Sequence, residues 1–412
     1  MNRILISLFL ITSLFLIFAC ERKGGPGAGG NSGPIVVGYY GDLTGRTSNF
    51  GQSTKNGVAM AIDEINKAGG VDGRQIQVIS EDDEGRPEKA ATVVTKLINQ
   101  DRVIALIGEV TSGNTLAAAP KAQSAQVPMI SSAATTPAVT QVGDYIFRVC
   151  FIDPFQGAVM AQFAANTLKA KKAAIMLDFN SPYSRGLTEF FEASFTKLGG
   201  QVIGKQSYTQ GDRDYKGQLT AIRANNPDVI YVPGYYGEVG VIAKQCQQLG
   251  IKAPLLGGDG WDATQLWELG GDALNGDFIS NHYSVDDPSP AIQKFVKDYK
   301  ARYGNVPDAL AALGYDAMGV LADSIKRAGT TEGPKLRDAI ARTQNYPGVT
   351  GAITIDAQRN AVKPAVVLKL KDGTYVYQET IYPEGMAPPA AALQNSPRAT
   401  ASPATSSAGG KP

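Results

Sequence analysis

Few residues of this chain are of a type and spacing suited to catalysis. It carries one histidine, His282, in a polar segment behind an apolar run, and that setting reads as a surface position rather than a general base. No Gly-x-Ser-x-Gly elbow, His-Glu-x-x-His pair or Gly-x-x-x-x-Gly-Lys phosphate loop occurs, and no Gly-x-Gly-x-x-Gly follows the first strand expected, 35–40. The acidic run Glu81, Asp82, Asp83, Glu84 offers oxygen donors, but no regular ligand spacing continues from it, so it reads as a solvated loop and not a metal site. What remains is a set of small, polar, glycine-rich segments at 41–45, 108–114, 131–136, 178–185, 233–238 and 257–261. Hydroxyls and backbone N–H groups in such segments can approach a small ligand closely, above all where a helix begins. The expected activity is therefore binding, with no catalytic residue, cofactor or metal.

The elements that would position these segments alternate. Residues 35–40 (IVVGYY) form an apolar strand, and 54–67 place Val58, Ala61, Ile62 and Ile65 on one helical face before Gly69-Gly70. A strand over 74–80 follows, then a helix opened by Pro87, a strand over 103–107, a helix over 116–125 and a strand over 128–131. The pattern restarts after Cys150: strand 172–178, helix 184–197, strand 202–205, helix 215–224, strand 228–232. Strand–helix alternation of this kind predicts α/β architecture with parallel sheets, and its restart predicts two lobes. Ligands of such folds bind beyond the carboxyl ends of the strands, where the six polar segments lie.

The ends and the charge set the context. Arg3 followed by an apolar run to Phe18 reads as an export signal, and Ala19-Cys20 resembles the site where a bacterial lipoprotein is cleaved and acylated at Cys20. The other reading is an ordinary signal peptide with an incidental cysteine. Residues 21–33 are glycine-rich and read as a tether, while 386–412 hold mostly Ala, Pro and Ser and are expected to stay disordered. The 39 basic and 38 acidic residues leave a net charge of +1 with no basic block, so nucleic acid is not an expected partner. Cys150 and Cys246 could pair in an oxidising compartment; two free, buried thiols are the default expectation.

Three stretches carry a family resemblance: VDGRQIQVISEDDEGRPEKAATVVTKLINQDRVIALIG, TSGNT and PMISSAATTPAVT. They resemble the periplasmic leucine/isoleucine/valine-binding proteins, and the likeness runs from about Ile35 to Tyr382. The resemblance implies the type I periplasmic-binding-protein fold, two Rossmann-like lobes joined by a three-segment hinge, with lobe 1 over 34–151 plus 284–352 and lobe 2 over 152–283 plus 353–385. It implies a monomer on the periplasmic side of the bacterial cell envelope that captures an amino acid or analogue for an ABC permease in the inner membrane, held there by its lipid anchor. Some relatives act as sensors, so a ligand-sensing subunit binding an amide or aromatic acid is the alternative.

The same resemblance implies site residues. Ser112 matches the serine that binds the ligand carboxylate, and it also suits a helix cap. Ala133, Ala134 and Thr135 match the loop that receives the ammonium, although the segment also reads as a turn before Pro137. Asp259, in Gly257-Gly258-Asp259-Gly260, stands where branched-chain binders carry glutamate opposite the ammonium. Tyr183 and Tyr235 match aromatics that close the cleft from lobe 2, and Phe50 one that faces the ligand side chain. Leu310 falls near a side-chain pocket position that is phenylalanine in the branched-chain binders, Trp261 is an added aromatic at the mouth, and Asp262 is expected to cap the next helix. The family disulfide between the loops after strands two and three has no counterpart, because neither loop here holds a cysteine.

Overall fold

The computed structural model describes residues 33–386. The expected export signal with Cys20, and nearly all of the expected tether and tail, fall outside the described residues. Short apolar runs become strands buried on both faces, and single-stripe stretches become the helices that cover them.

The first half runs β1 (Ile35–Gly41), α1 (Ser48–Lys67), β2 (Ile76–Asp82), α2 (Pro87–Asn99), β3 (Leu106–Ile107), α3 (Ser112–Ala125), β4 (Met129–Ser131), α4 (Ala138–Gln141) and β5 (Ile146–Arg148). These strands make one wholly parallel sheet in the order β2-β1-β3-β4-β5. The chain then builds α5 (Asp153–Gln162), β6 (Lys172–Asp178), α6 (Pro182–Lys197), β7 (Gln201–Tyr208), α7 (Lys216–Ala224), β8 (Val229–Tyr231), α8 (Tyr236–Gln248), β9 (Leu255–Gly257), α9 (Thr264–Gly270) and β10 (Phe278–Asn281). Three further helices, α10 (Pro290–Tyr303), α11 (Ala309–Ala328) and α12 (Gly333–Ala341), precede β11 (Tyr346–Gly348), β12 (Gly351–Ile355), β13 (Ala361–Val362), β14 (Ala365–Lys371) and β15 (Thr374–Ile381). The second sheet has the order β15-β14-β10-β9-β8-β6-β7, parallel from β7 to β10 and closed by the antiparallel β14–β15 hairpin.

Two sheets, each with its helices, make the two-lobed α/β fold that the alternation predicts. The helices α10, α11 and α12 return to the first lobe: Arg302 of α10 pairs with Asp63 of α1, and Arg337 of α12 with Asp144. The β12–β13 hairpin also lies against that lobe, because Arg148 N–H donates to Arg359 O at 3.2 Å and Thr140 Oγ1 to Asn360 Oδ1 at 3.0 Å. The chain therefore passes to β14 near residue 363, about ten residues later than the expected lobe boundary after 352.

Two helices begin earlier than the apolar pattern predicts, for the same reason. α1 starts at Ser48 and not Thr54, because Asp42 in the preceding loop accepts from Thr47 N–H and Thr47 Oγ1, both at 2.7 Å. α3 starts at Ser112 and not Leu116, because the Glu109 carboxylate accepts the Thr111 N–H. Carboxylates several residues upstream hold the residue just ahead of each helix and so set where it begins, but they leave no mark on apolar periodicity. The acidic run of β2 is likewise not a solvated loop. Asp82 accepts from Leu43 N–H, Thr44 Oγ1 and Glu84 N–H, Asp83 is fully buried, and Glu81 pairs with Lys96 at 2.6 Å. Its carboxylates tie β2 to the loop after β1.

Cys150 and Cys246 are unpaired and buried, as expected by default, and burial pushes each thiol up to about 12. The α1–α11 contact is glycine-dependent: a Cβ at Gly57 would lie 1.9 Å from Ala311 O. Gly57→Ala should cost about 1–3 kcal/mol by overpacking, read as a melting temperature lower by several degrees. Gly217→Ala, in α7 with open space around it, should be neutral or stabilising by about 0.4–1 kcal/mol. Equal melting temperatures for the two variants would contradict the close approach.

Candidate functional site

Because the strands of each parallel sheet point their carboxyl ends the same way, the loops that follow them collect on one edge of each lobe. The two edges face each other across a narrow cleft with room for little more than a water molecule, about 10 Å3. Phe50, Val110, Ala133 and Leu310 line it from the first lobe; Tyr183, Tyr235, Asp259 and Gly260 line it from the second. The lobes touch beside it: Tyr236 Oη donates to Arg46 O at 2.9 Å, and Asn49 Nδ2 to Thr264 Oγ1 at 3.2 Å.

Asp259 is the charged group of the cleft wall. It sits in a single 3-10 turn, Asp259–Trp261, directly after β9, where flanking glycines let other side chains come close: a Cβ at Gly258 would lie 2.6 Å from Tyr183 Oη. Although buried, its carboxylate is surrounded by donors. Oδ1 accepts from Gln156 Nε2 at 2.8 Å and Tyr183 Oη at 2.9 Å, and Oδ2 lies 3.0 Å from His282 Nε2. A carboxylate held by three donors stays anionic at lower cost than a bare one. The Tyr183 ring stacks on Tyr235 with centroids 5.2 Å apart, and Phe50 meets Tyr235 edge-on at 5.8 Å. Three of the expected aromatics thus form one continuous wall spanning both lobes.

Of the expected ligand residues on the first lobe, Phe50 and Ala133 line the cleft, and Ser112 and Thr135 do not. Ser112 is the first residue of α3, buried, with its hydroxyl accepting from Thr136 N–H at 3.4 Å. The positive end of that helix and its unpaired first N–H groups favour an anion. Ala133 reaches the cleft. Thr135 is buried in the same loop, with its hydroxyl beside Asp153. Ala134 does not reach the cleft. Its N–H donates to Ser131 Oγ at 3.0 Å, and its carbonyl accepts from Arg148 and Cys150, so both backbone groups point into the lobe.

Three expectations are corrected. His282 is buried, not at the surface, because β10 carries it behind the Asp259 turn, where its ring stacks on Phe151 at 3.8 Å. Trp261 is fully buried rather than at the mouth; its indole N–H donates to Val232 O at 3.0 Å, and the ring fills the space over Gly257. Asp262 does not cap α9. Its Oδ2 accepts from Asn281 Nδ2 and from Ala309 N–H, both at 2.8 Å, so it caps α11 across the lobes.

Four residues that matter to the site carried no motif. Gln156 and His282 hold Asp259. Arg148, wholly buried at the end of β5, donates from Nη2 to Thr136 O at 2.8 Å and from Nη1 to Ala134 O, which fixes the 133–136 loop from beneath. Asp153 accepts from Thr136 Oγ1 at 2.9 Å, and burial pushes its carboxyl up to about 7. An arginine ending the otherwise apolar strand Ile146–Arg148 was the one available signal, since an unpaired charge is not left in a core.

This geometry is that of a two-lobed α/β protein with a cleft between its lobes. Residues 34–374 match the family described as periplasmic binding protein, and the chain belongs to that family. It is 31% identical over 300 residues to Leu/Ile/Val-binding protein homolog 3 of Brucella melitensis, covering 72% of this chain and 80% of that protein. Among solved structures, the leucine-binding protein LivK of Thermotoga maritima is 40% identical, with TM-score 0.82 and coverage of 85% of this chain and 100% of that one. The branched-chain amino-acid binding protein LivJ of Streptococcus pneumoniae, solved with isoleucine, is 33% identical, with TM-score 0.81 and coverage of 85% and 100%. Among the described residues no helix is long and apolar enough to cross a membrane.

Proposed function

We propose that this protein captures a zwitterionic amino acid of the branched-chain type or a near relative and delivers it to an ABC permease. The observation that carries this reading is the buried Asp259 carboxylate, held by Gln156, Tyr183 and His282, in a small cleft otherwise lined by Phe50, Val110, Leu310 and Tyr235. The ligand ammonium pairs with Asp259 and with the Ala133 carbonyl and Thr135 hydroxyl; its carboxylate sits at Ser112 and the start of α3; its aliphatic side chain meets the aromatic wall. The names of the relatives, leucine- and isoleucine-binding proteins, support the same ligand class. Ligand contacts from both lobes favour the closed arrangement over an open one, a population shift by differential affinity. The apolar segment ahead of Cys20 supports an exported lipoprotein anchored beside its permease.

A thermal-shift screen of amino acids on protein lacking residues 1–20 identifies the ligand, since saturation at ~100-fold its Kd adds about 2.7 kcal/mol. With that ligand, Asp259→Asn should weaken binding by roughly 30- to 5,000-fold, the about 2–5 kcal/mol lost when one partner of a buried charge pair is removed. Asp298→Asn, on the exposed face of α10 beside Lys294, should change affinity little. Calorimetry giving near-wild-type affinity for Asp259→Asn would remove the ammonium pairing. For the anchor, metabolic labelling with a palmitate analogue should mark wild-type protein and not Cys20→Ala; unlabelled, fully exported wild-type protein would rule the lipoprotein out.

A further inference from the structure

Asp259 is expected to hold the ligand, but its surroundings contain more than a carboxylate needs for stability. His282 is the single histidine of the chain, and it is almost wholly removed from solvent. Its backbone N–H donates to Asn281 Oδ1 at 2.8 Å, its ring lies against Phe151 at 3.8 Å with a 21° interplanar angle, and Nε2 meets Asp259 Oδ2 at 3.0 Å. The second ring nitrogen, Nδ1, is buried without a hydrogen-bond partner among the described residues. This asymmetry selects the tautomer: Nε2 carries the proton and donates it to Asp259, while Nδ1 keeps its lone pair.

We propose that His282 is a positioning residue for the ammonium site, which as a neutral imidazole aims an anionic Asp259 at the cleft and on gaining a proton cancels the charge that the ligand requires. The inference rests on the amino-acid reading of the cleft. An imidazolium would place an N–H at Nδ1 with no acceptor, in an interior where unpaired polar hydrogens are costly. Burial, and the Lys363 ammonium near the ring, also resist that proton and lower the histidine below its ordinary value, while Asp259 favours it. The other ionisable groups near Asp259 are Asp262, Asp153, Cys150, Tyr183, Tyr231 and Tyr235. At neutral pH the pair Asp259–His282 therefore carries one negative charge, available to a ligand ammonium. Once His282 is protonated the pair is neutral and the ammonium faces no net charge. Ligand and proton compete, so binding releases a proton wherever the ligand-free protein holds one. The sign follows: affinity is flat above the ordinary histidine range and falls as the pH drops through the lowered value.

The test uses the mature, untagged protein, in which His282 supplies the only imidazole signals. In ligand-free protein at about pH 7, long-range 1H–15N spectra should show the neutral tautomer protonated at Nε2, titrating below the ordinary value of about 6.5. Calorimetry with L-leucine or the best ligand of the screen should give an affinity that falls by up to about tenfold per pH unit in the acid range, as one proton is released. His282→Gln, which keeps a neutral donor at the Nε2 position and cannot titrate, should bind more tightly at neutral pH than His282→Phe and lose the acid fall. His282→Phe keeps the stack and loses the donor, and should bind about 10- to 100-fold more weakly at neutral pH. An imidazolium at neutral pH, an unchanged acid fall in His282→Gln, or wild-type affinity in His282→Phe would each overturn the role. Failure of wild-type protein to bind any amino acid overturns the function itself and this role with it, a result distinct from binding that ignores His282.

Discussion

A charge taken out of water must find partners, and the cleft of this protein is arranged around that constraint. Asp259 lies in a turn between β9 and α9, buried where the two lobes meet. Its three donors come from α5, α6 and the end of β10, so satisfying one carboxylate fixes the relative placement of four segments of the second lobe. The same logic recurs on the first lobe, where Arg148 holds two carbonyls of the 133–136 loop and Asp153 takes the Thr136 hydroxyl. In both cases a buried ion spends its hydrogen-bonding capacity on a loop that faces the cleft. Breaking such a network leaves an uncompensated charge, which is far costlier than losing an exposed pair.

Parallel sheets supply the second half of the design. They bring helix starts and glycine-rich turns to the same edge of each lobe, offering N–H groups to an anion from the first lobe and a carboxylate to a cation from the second. The aromatic wall of Phe50, Tyr235 and Tyr183 crosses between them.

The alternation of strands and helices was legible from residue pattern because burial on both faces imposes continuous apolar runs, as in Lys172–Asp178, where sequence and structure agree at both ends. Helix starts were less legible: Asp42 and Glu109 hold Thr47 and Thr111, the residues just ahead of α1 and α3, from further upstream. The residues gathered in the cleft, Phe50, Ala133, Tyr183, Tyr235, Asp259 and Leu310, were readable through motif resemblance, since each sits in a short local signature. Their supports were not. His282 lies 23 positions from Asp259 and Gln156 lies 103 away, and no local pattern announces a contact made only when β9, β10 and α5 assemble. Trp261 and Asp262 were misplaced for a related reason: their partners, Val232 and Ala309, belong to distant segments.

The central claim is that the cleft recognises both charges of a zwitterion at once. Calorimetric titration of wild-type protein with L-leucine, its deaminated carboxylic acid and its decarboxylated amine tests this most directly, because the three share the same branched side chain. The account predicts that leucine binds at least ~30-fold more tightly than either analogue, the about 2 kcal/mol minimum for losing one partner of a buried charge pair. A deaminated acid that binds as tightly as leucine would contradict it, since Asp259 would then face nothing it was built to hold.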